Sequence, residues 1–576
     1  MLPRAVLLGL LPIVAAPAVA QAALAAGSPE QAAAVAQAIT LWIEDFERGD
    51  LAVKNSLRAG EDLQPRYVAL ARRAQLLRAE DEERITHLDA LGKMLFFAER
   101  NPSVALADAV LGVASIGFER SFLDLTALEL RETAHWTLMR MDNSGAWFLL
   151  LRAAAGEQVP ILQDLRAAAT PDVELAVGPA RRVAALQALG RKNRPVFRAT
   201  LEASLSDPDP RIRLAAAESM QPPWRLDGMR RASRALASER HPVVSQALVR
   251  LVHAMLRTAP AGLEPEERAI VCDGMLAQFG RCGWRTDMEL LDVVEAFPSK
   301  DAVPMLIEAL DLELRSPDAL VTAINERASP LLRERAAGLL RAMTGAILLG
   351  SDPAEWREFW AREKDKIQVP VVLPRSRGEK TTAQFFGVPV TGGSIAFLID
   401  TSGSMRDQPA GSPVTGRRGR PPGSRLSAAK EQLLLAVSAM PPGTQFYVFT
   451  FADVGRAWTK TPIKVGPQSV RSLTELLSRF GAKGGTNLGD GLVTALQLED
   501  VRYGDAVAVK IDELFVLSDG EPTAGVVRQP DEILQMVHEA NKYAKVRIHS
   551  VFTGTGGGAD LLKRLADENG GVFVQR

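Results

Sequence analysis

Residues 394–405 read Ser-Ile-Ala-Phe-Leu-Ile-Asp-Thr-Ser-Gly-Ser-Met, SIAFLIDTSGSM, and this stretch decides the fold of the C-terminal part. Ile395 to Ile399 are apolar without alternation, and the run then breaks into an acid and two serines. An unbroken apolar run of this length predicts a strand buried on both faces. The polar cluster falls at the carboxyl end of that strand, where open α/β sheets bind ligands. Moving outward, 424–440 (SRLSAAKEQLLLAVSAM) predicts an amphipathic helix, 445–452 a strand and 457–465 an edge strand. Helices are expected over 469–480 and 488–498, a strand over 512–520, a helix over 530–544 and a strand over 546–554. A helix at 559–568 and a strand at 571–575 complete the pattern. Alternating strands and helices predict an α/β doubly wound fold over 392–576, Rossmann-like, with a mostly parallel sheet covered on both faces.

Three of the expected strand ends and loops carry oxygen ligands. Asp400, Ser402 and Ser404 follow the first strand, Gly484-Gly485-Thr486-Asn487 lies between two helices, and Ser518-Asp519-Gly520 ends the 512–520 strand. Asp400, Ser402, Ser404, Thr486 and Asp519 offer three hydroxyls and two carboxylates, a hard oxygen set suited to a Mg²⁺ that keeps waters. Gly403 is expected to let its loop turn tightly enough for both serines to face one point.

These motifs resemble the metal-ion-dependent adhesion site (MIDAS) of the von Willebrand factor type A (VWFA) domain, over about residues 392–576. The resemblance implies that Ser402, Ser404 and Thr486 ligate Mg²⁺ or Mn²⁺ through their hydroxyls, and that Asp400 and Asp519 hold the ion directly or through water. It also implies an open position that takes an Asp or Glu carboxylate from a protein partner. A Pro/Gly loop follows the motif at 405–424, and its Arg417, Arg418 and Arg420 read as a solvated face or as an attractor for an acidic partner.

Upstream, residues 30–345 show helical spacing. Pro179, Pro210, Pro242 and Pro330 each precede an amphipathic stretch, as suits a first helical turn. These segments resemble HEAT-like repeats, an α-solenoid with a partner-binding surface. The expected order is a signal peptide at 1–20, a helical region at 21–178, HEAT-like repeats at 179–345, a Trp-rich helix and linker at 346–391, and the type A domain. The signal rests on Arg4, the apolar run Ala5–Val14 and the small-residue pattern Ala18-Val19-Ala20. It predicts an exported protein in the periplasm, at the cell surface or secreted, and no later stretch reads as transmembrane. The whole layout resembles that of exported bacterial proteins with HEAT-like repeats and a C-terminal type A domain.

Lys and Arg number 68 against 69 Asp and Glu, a balance that argues against a chain built to coat nucleic acid. Two cysteines exclude a disulfide scaffold, and Cys272 and Cys282 read equally as a bridge or as two small buried thiols. Trp136, Trp147 and Trp224 are expected in the core. No Walker A or HExxH motif occurs. The GTGGGA run at 554–559 lacks the acidic residue and second half-fold of a dinucleotide fingerprint. A hydrolase built on Ser402 or Ser404 would need a base, and His538 and His549 form no paired motif. The expectation is a non-enzymatic, metal-dependent adhesion or assembly protein. The alternative is a chaperone-like adaptor or scaffold acting through the repeats.

Overall fold

A computed structural model describes residues 178–311, 329–374, 383–407 and 423–576, apart from 460, 499–500, 506–509 and 526, together with parts of 92–157. The signal segment and Arg417, Arg418 and Arg420 lie outside the described residues. The chain forms two compact units, Met1–Pro222 and Pro223–Arg576.

In the first unit the described helices are α1 (Val104–Ala114), α2 (Leu125–Arg140), α3 (Ser144–Ala154), α4 (Pro179–Lys192), α5 (Arg198–Ser204) and α6 (Pro210–Ser219). Proline opens α4 and α6, and the Asp209 side chain caps α6 by accepting from the Arg211 amide. α4 packs against α2, α3 and α6. Its Gly190 lies so close to α6 that a Cβ there would meet Ser219 O at 2.4 Å. Trp136 departs from the core expectation, since 49% of it is exposed on α2. Trp147 is half-buried, stacked under Arg194 with the guanidinium carbon 3.5 Å from the ring centre.

The second unit begins with α7 (Leu226–Ser238), α8 (Pro242–Thr258), α9 (Pro265–Leu276), α10 (Trp284–Ala296), α11 (Ala302–Glu308), α12 (Pro330–Thr344) and α13 (Pro353–Glu363). Trp224, before α7, is half-buried. Cys272 and Cys282 are free thiols, Cys282 buried and Cys272 half-buried, and burial pushes the Cys272 pKa up to about 11. Trp356 is fully buried in the same hydrophobic cluster as Leu340 and Met343 of α12 and donates from its indole to Gly350 O at 2.8 Å.

The sheet follows. β1 (Gln384–Phe385) and β2 (Val388–Pro389) make a short hairpin. β3 (Ser394–Asp400), α14 (Arg425–Ala439), β4 (Gln445–Phe451), β5 (Gly455–Ala457), β6 (Ile463–Lys464), α15 (Pro467–Ser478) and α16 (Leu488–Leu496) come next. β7 (Glu513–Ser518), α17 (Pro530–Ala544), β8 (Arg547–Phe552), α18 (Ala559–Glu568) and β9 (Phe573–Gln575) complete it. The strand order is β5-β4-β3-β7-β8-β9, with β6 also on β4. Every pair along β4-β3-β7-β8-β9 is parallel, and β5 and β6 run antiparallel to β4. The C-terminal region is therefore the α/β, mostly parallel sheet expected, and the region that precedes it in sequence is rich in helices.

Two features were not in the pattern. Residues 457–465 form no single edge strand, because β5 and β6 are separate pieces on β4. Phe385, in the segment assigned to the linker, lies in the domain core, its ring 5.2 Å from Phe397 and 5.7 Å from Phe515. Burying such an aromatic contributes about 3 kcal/mol. The sheet's amino edge rests on the helices of the same unit. Arg547 pairs with Glu334 of α12 at 3.1 Å, Lys545 with Glu289 of α10 at 2.8 Å, and Arg285 donates to Ala544 O at 2.5 Å.

Candidate metal centre

β3 lies between β4, reached first, and β7, reached later, so the direction in which strands are added reverses at β3. That reversal is the switch point at which α/β sheets open a crevice beyond their strand ends. Asp400 ends β3 there and Ser518-Asp519 ends β7 beside it.

Asp400 is fully buried. Its Oδ1 accepts from the Ser402 amide at 2.7 Å and its Oδ2 from Ser518 Oγ at 2.6 Å. Burial pushes its pKa up to about 6, and the nearby Asp519 charge adds to the rise against these hydrogen bonds. Ser402 is buried and Ser404 exposed, and their hydroxyls stand 3.1 Å apart. Ser404 Oγ in turn donates to Asp519 Oδ1 at 2.7 Å. The other oxygen, Oδ2, accepts from Arg425 Nη1 at 2.7 Å. Arg425 is the first residue of α14, whose N-cap Ser424 accepts from the Ser427 amide.

The Gly484–Asn487 loop docks on this cluster by its backbone. Gly403 N donates to Gly484 O at 3.0 Å and Lys483 N to Thr401 O at 2.8 Å. Thr486 is buried, its amide donating to Thr523 Oγ1 and its carbonyl accepting from the Thr523 amide, each at 2.9 Å. The glycine that this loop requires is Gly484, at φ +83°, where a Cβ would also meet Asp453 Oδ2 at 2.4 Å. Gly403, expected to supply the tight turn, has no positive φ, and a Cβ there would meet Gly484 O at an ordinary 3.5 Å. The glycine run after β8 also has a structural use. A Cβ on Gly554 would meet Asp519 O at 1.8 Å and one on Gly558 would meet Gly520 O at 2.3 Å, so these glycines let two strand-end loops touch.

Asp400, Ser402, Ser404 and Asp519 are thus joined directly or through one shared partner, and Thr486 reaches them through Gly484 and Gly403. Among the described residues no three His, Cys, Asp or Glu side chains gather in a way that could hold a metal ion, and the oxygen cluster at these strand ends is made of hydroxyls as much as of carboxylates. The spacing fits such an ion. Adjacent ligands of an octahedral Mg²⁺ with bonds of about 2.0–2.1 Å stand about 2.9 Å apart. The Ser402–Ser404 and Ser404–Asp519 oxygen separations, 3.1 and 2.7 Å, straddle that value. Ser518, Arg425 and Asp453 are neighbours that were not among the expected ligands. Ser518 carries a signal, since it precedes Asp519 at the strand end. Arg425 carries none, because its partner is 94 residues away. His549 is no base for the serines: its Nε2 lies 3.2 Å from Glu513 Oε1 at the opposite end of the sheet.

Residues 420–574 match the model of the von Willebrand factor type A domain. The inter-alpha-trypsin inhibitor heavy chain H4 of Sus scrofa is 28% identical over 185 residues, 31% of this chain and 18% of that protein. The von Willebrand factor A domain-containing protein 5A of Rattus norvegicus is 27% identical over 181 residues, 31% of this chain and 20% of that protein. A solved von Willebrand factor type A structure from Catenulispora acidiphila has 23% identity and a TM-score of 0.24, covering 32% of this chain and 38% of that one. The chain thus spans only about a fifth of the length of these curated relatives. The C-terminal region is a von Willebrand factor type A domain, a class in which a divalent metal is often bound. Among the described residues no helix is long and apolar enough to cross a membrane.

Proposed function

We propose that this is a non-enzymatic, divalent-metal-dependent protein-binding protein acting in adhesion or assembly outside the cytoplasm. Asp400, Ser402, Ser404, Thr486 and Asp519 hold Mg²⁺ or Mn²⁺. The ion supplies Lewis acidity toward an Asp or Glu carboxylate of a protein partner, and HEAT-like repeats over 179–345 serve as scaffold and second surface. The observation that carries this reading is the Ser402–Ser404–Asp519 oxygen chain at the carboxyl ends of β3 and β7, with Ser404 exposed. Neutral hydroxyls compensate little of a dication's charge, so the loaded ion favours an anionic ligand. The similarity to type A domain proteins supports an interaction role, and the 1–20 pattern supports export. The test is Mg²⁺ calorimetry on the wild type and Asp400→Ala, then partner capture with and without EDTA. Heat from the wild type alone, with capture lost in EDTA, is the expected result. Equal capture in EDTA would move the function to the helical repeats.

A further inference from the structure

Arg425 is out of place in a cation site. Its side chain is only 11% exposed, and its Nη1 lies 2.7 Å from Asp519 Oδ2, on a carboxylate whose other oxygen faces Ser404. The same Nη1 is 3.4 Å from Ser404 O, and the backbone amide of Arg425 donates to Asp407 O at 2.8 Å, which ties the residue to the serine loop at both ends. Its Nε is buried and has no hydrogen-bond partner, an orphaned donor beside the site.

We propose that Arg425 is the built-in counter-ion of this site: it holds Asp519 when no cation is present and leaves the loaded site positive, so that the site takes an anionic oxygen ligand from a partner. The inference rests on the metal-binding reading above and deepens it. Two carboxylates, Asp400 and Asp519, neutralise a dication, and the three hydroxyls add no charge. With Arg425 included the buried loaded set carries a net charge of +1; the Asp407 carboxylate, 3.9 Å from Nη1, is mostly exposed and screened by water. In a buried setting that charge acts at short range in two opposite ways. It repels the entering cation, and it attracts the partner's carboxylate. Without a cation, Arg425 spares Asp519 from being an unpaired buried charge. Arg425 is a positioning residue, acting on the metal through Asp519 and through its charge.

The two opposite effects separate this role from a merely structural one. The experiment uses the full chain, with Mn²⁺ as the metal probe and acetate as the carboxylate probe. Mn²⁺ affinity is read by calorimetry, and acetate binding to the loaded protein by the relaxation of bulk water protons. Arg425→Gln keeps a donor for Asp519 and removes the charge. It should bind Mn²⁺ about tenfold more tightly or better and acetate more weakly. Arg425→Lys, which restores the charge, should return both toward wild type. Mn²⁺ should also raise the melting temperature of Arg425→Gln by more than it raises that of the wild type. Unchanged or weaker Mn²⁺ binding by folded Arg425→Gln, with the wild type binding normally, would overturn this inference alone. Failure of the wild type to bind Mn²⁺ would overturn the metal reading and this inference with it.

Discussion

Asp512 precedes strand β7, Glu513 opens it and Asp519 follows its end, and all three carboxylates are buried. At the start, Asp512 accepts from Ser329 Oγ at 2.8 Å and from the Gly393 and Ser394 amides at 3.0 Å. Glu513 accepts from the Thr391 amide at 3.0 Å, the Gly392 amide at 2.9 Å and Thr391 Oγ1 at 3.1 Å, with His549 beside it. At the other end, Asp519 has one hydroxyl and one guanidinium, and Asp400 one amide and one hydroxyl. The amino end is ringed largely by N–H groups, which have no lone pair to give a cation. The carboxyl end is ringed by hydroxyls, which donate to a carboxylate or turn a lone pair to a metal. Buried acids therefore serve as a structural clamp at one end, in Asp512 and Glu513, and as candidate ligands at the other, in Asp400 and Asp519.

The largest expected effect falls on the clamp. Glu513→Ala strands the Thr391 and Gly392 amides and His549, and should destabilise the protein by about 3–5 kcal/mol. Urea unfolding should show the same loss with Mg²⁺ or with EDTA, and a loss seen only with Mg²⁺ would erase the contrast between the two ends. Next, Asp400→Ala should lower Mg²⁺ affinity by about a hundredfold, or about 2.7 kcal/mol. In EDTA its unfolding midpoint should fall less than that of Glu513→Ala, since burial already opposes the Asp400 charge.

A smaller effect is expected at Gly484, where φ is +83° and a Cβ meets Asp453. Gly484→Ala should cost about 1–2 kcal/mol of stability and weaken Mg²⁺ binding as the Thr486 loop shifts. At Thr486 itself, Thr486→Ala should weaken Mg²⁺ by about tenfold while Thr486→Ser binds as wild type, because only the hydroxyl is used. Equal binding by Thr486→Ala in calorimetry would remove this residue from the ligand set.

The smallest effect is one of pH. Burial works to raise the Glu513 carboxyl, but the hydrogen bond and charge of His549, the Gly392 amide and the charge of Arg547 outweigh it, and its pKa lies below the usual 4.5. The unfolded chain therefore takes up this proton first as pH falls. Stability from Glu513 is present above about pH 4.5 and is lost as pH drops through the lower folded value. Urea midpoints of Glu513→Gln should follow a flatter curve than wild type in that acid range.

Much of the fold was legible because its signals are local. The expected strand 394–400, built on the apolar run 395–399, is β3 to the residue, and 530–544 is α17 to the residue. Proline at a helix start marked Pro179, Pro210, Pro242 and Pro330 for the same reason: it acts within one turn. Other features were not legible. The Phe385 hairpin is only two residues per strand, too short to show a period. Trp136 is apolar enough to suggest a core position, but composition does not say which side of α2 faces a neighbour. Gly403 and Gly484 look equally permissive in sequence, and only the backbone path shows that Gly484 alone takes the left-handed region.

That acids and hydroxyls stand at the ends of buried strands is written locally in the chain, since strand, turn and polar cluster lie side by side at 400–404 and 518–519. Which acids are already satisfied is set by contacts between distant segments. Asp512 meets Ser329 across 183 residues, Glu513 meets Thr391 across 122, and Asp519 meets Arg425 across 94. Whether a buried carboxylate is a clamp or an open ligand depends on the donors that reach it, and those donors arrive from segments brought together by strand pairing and helix packing.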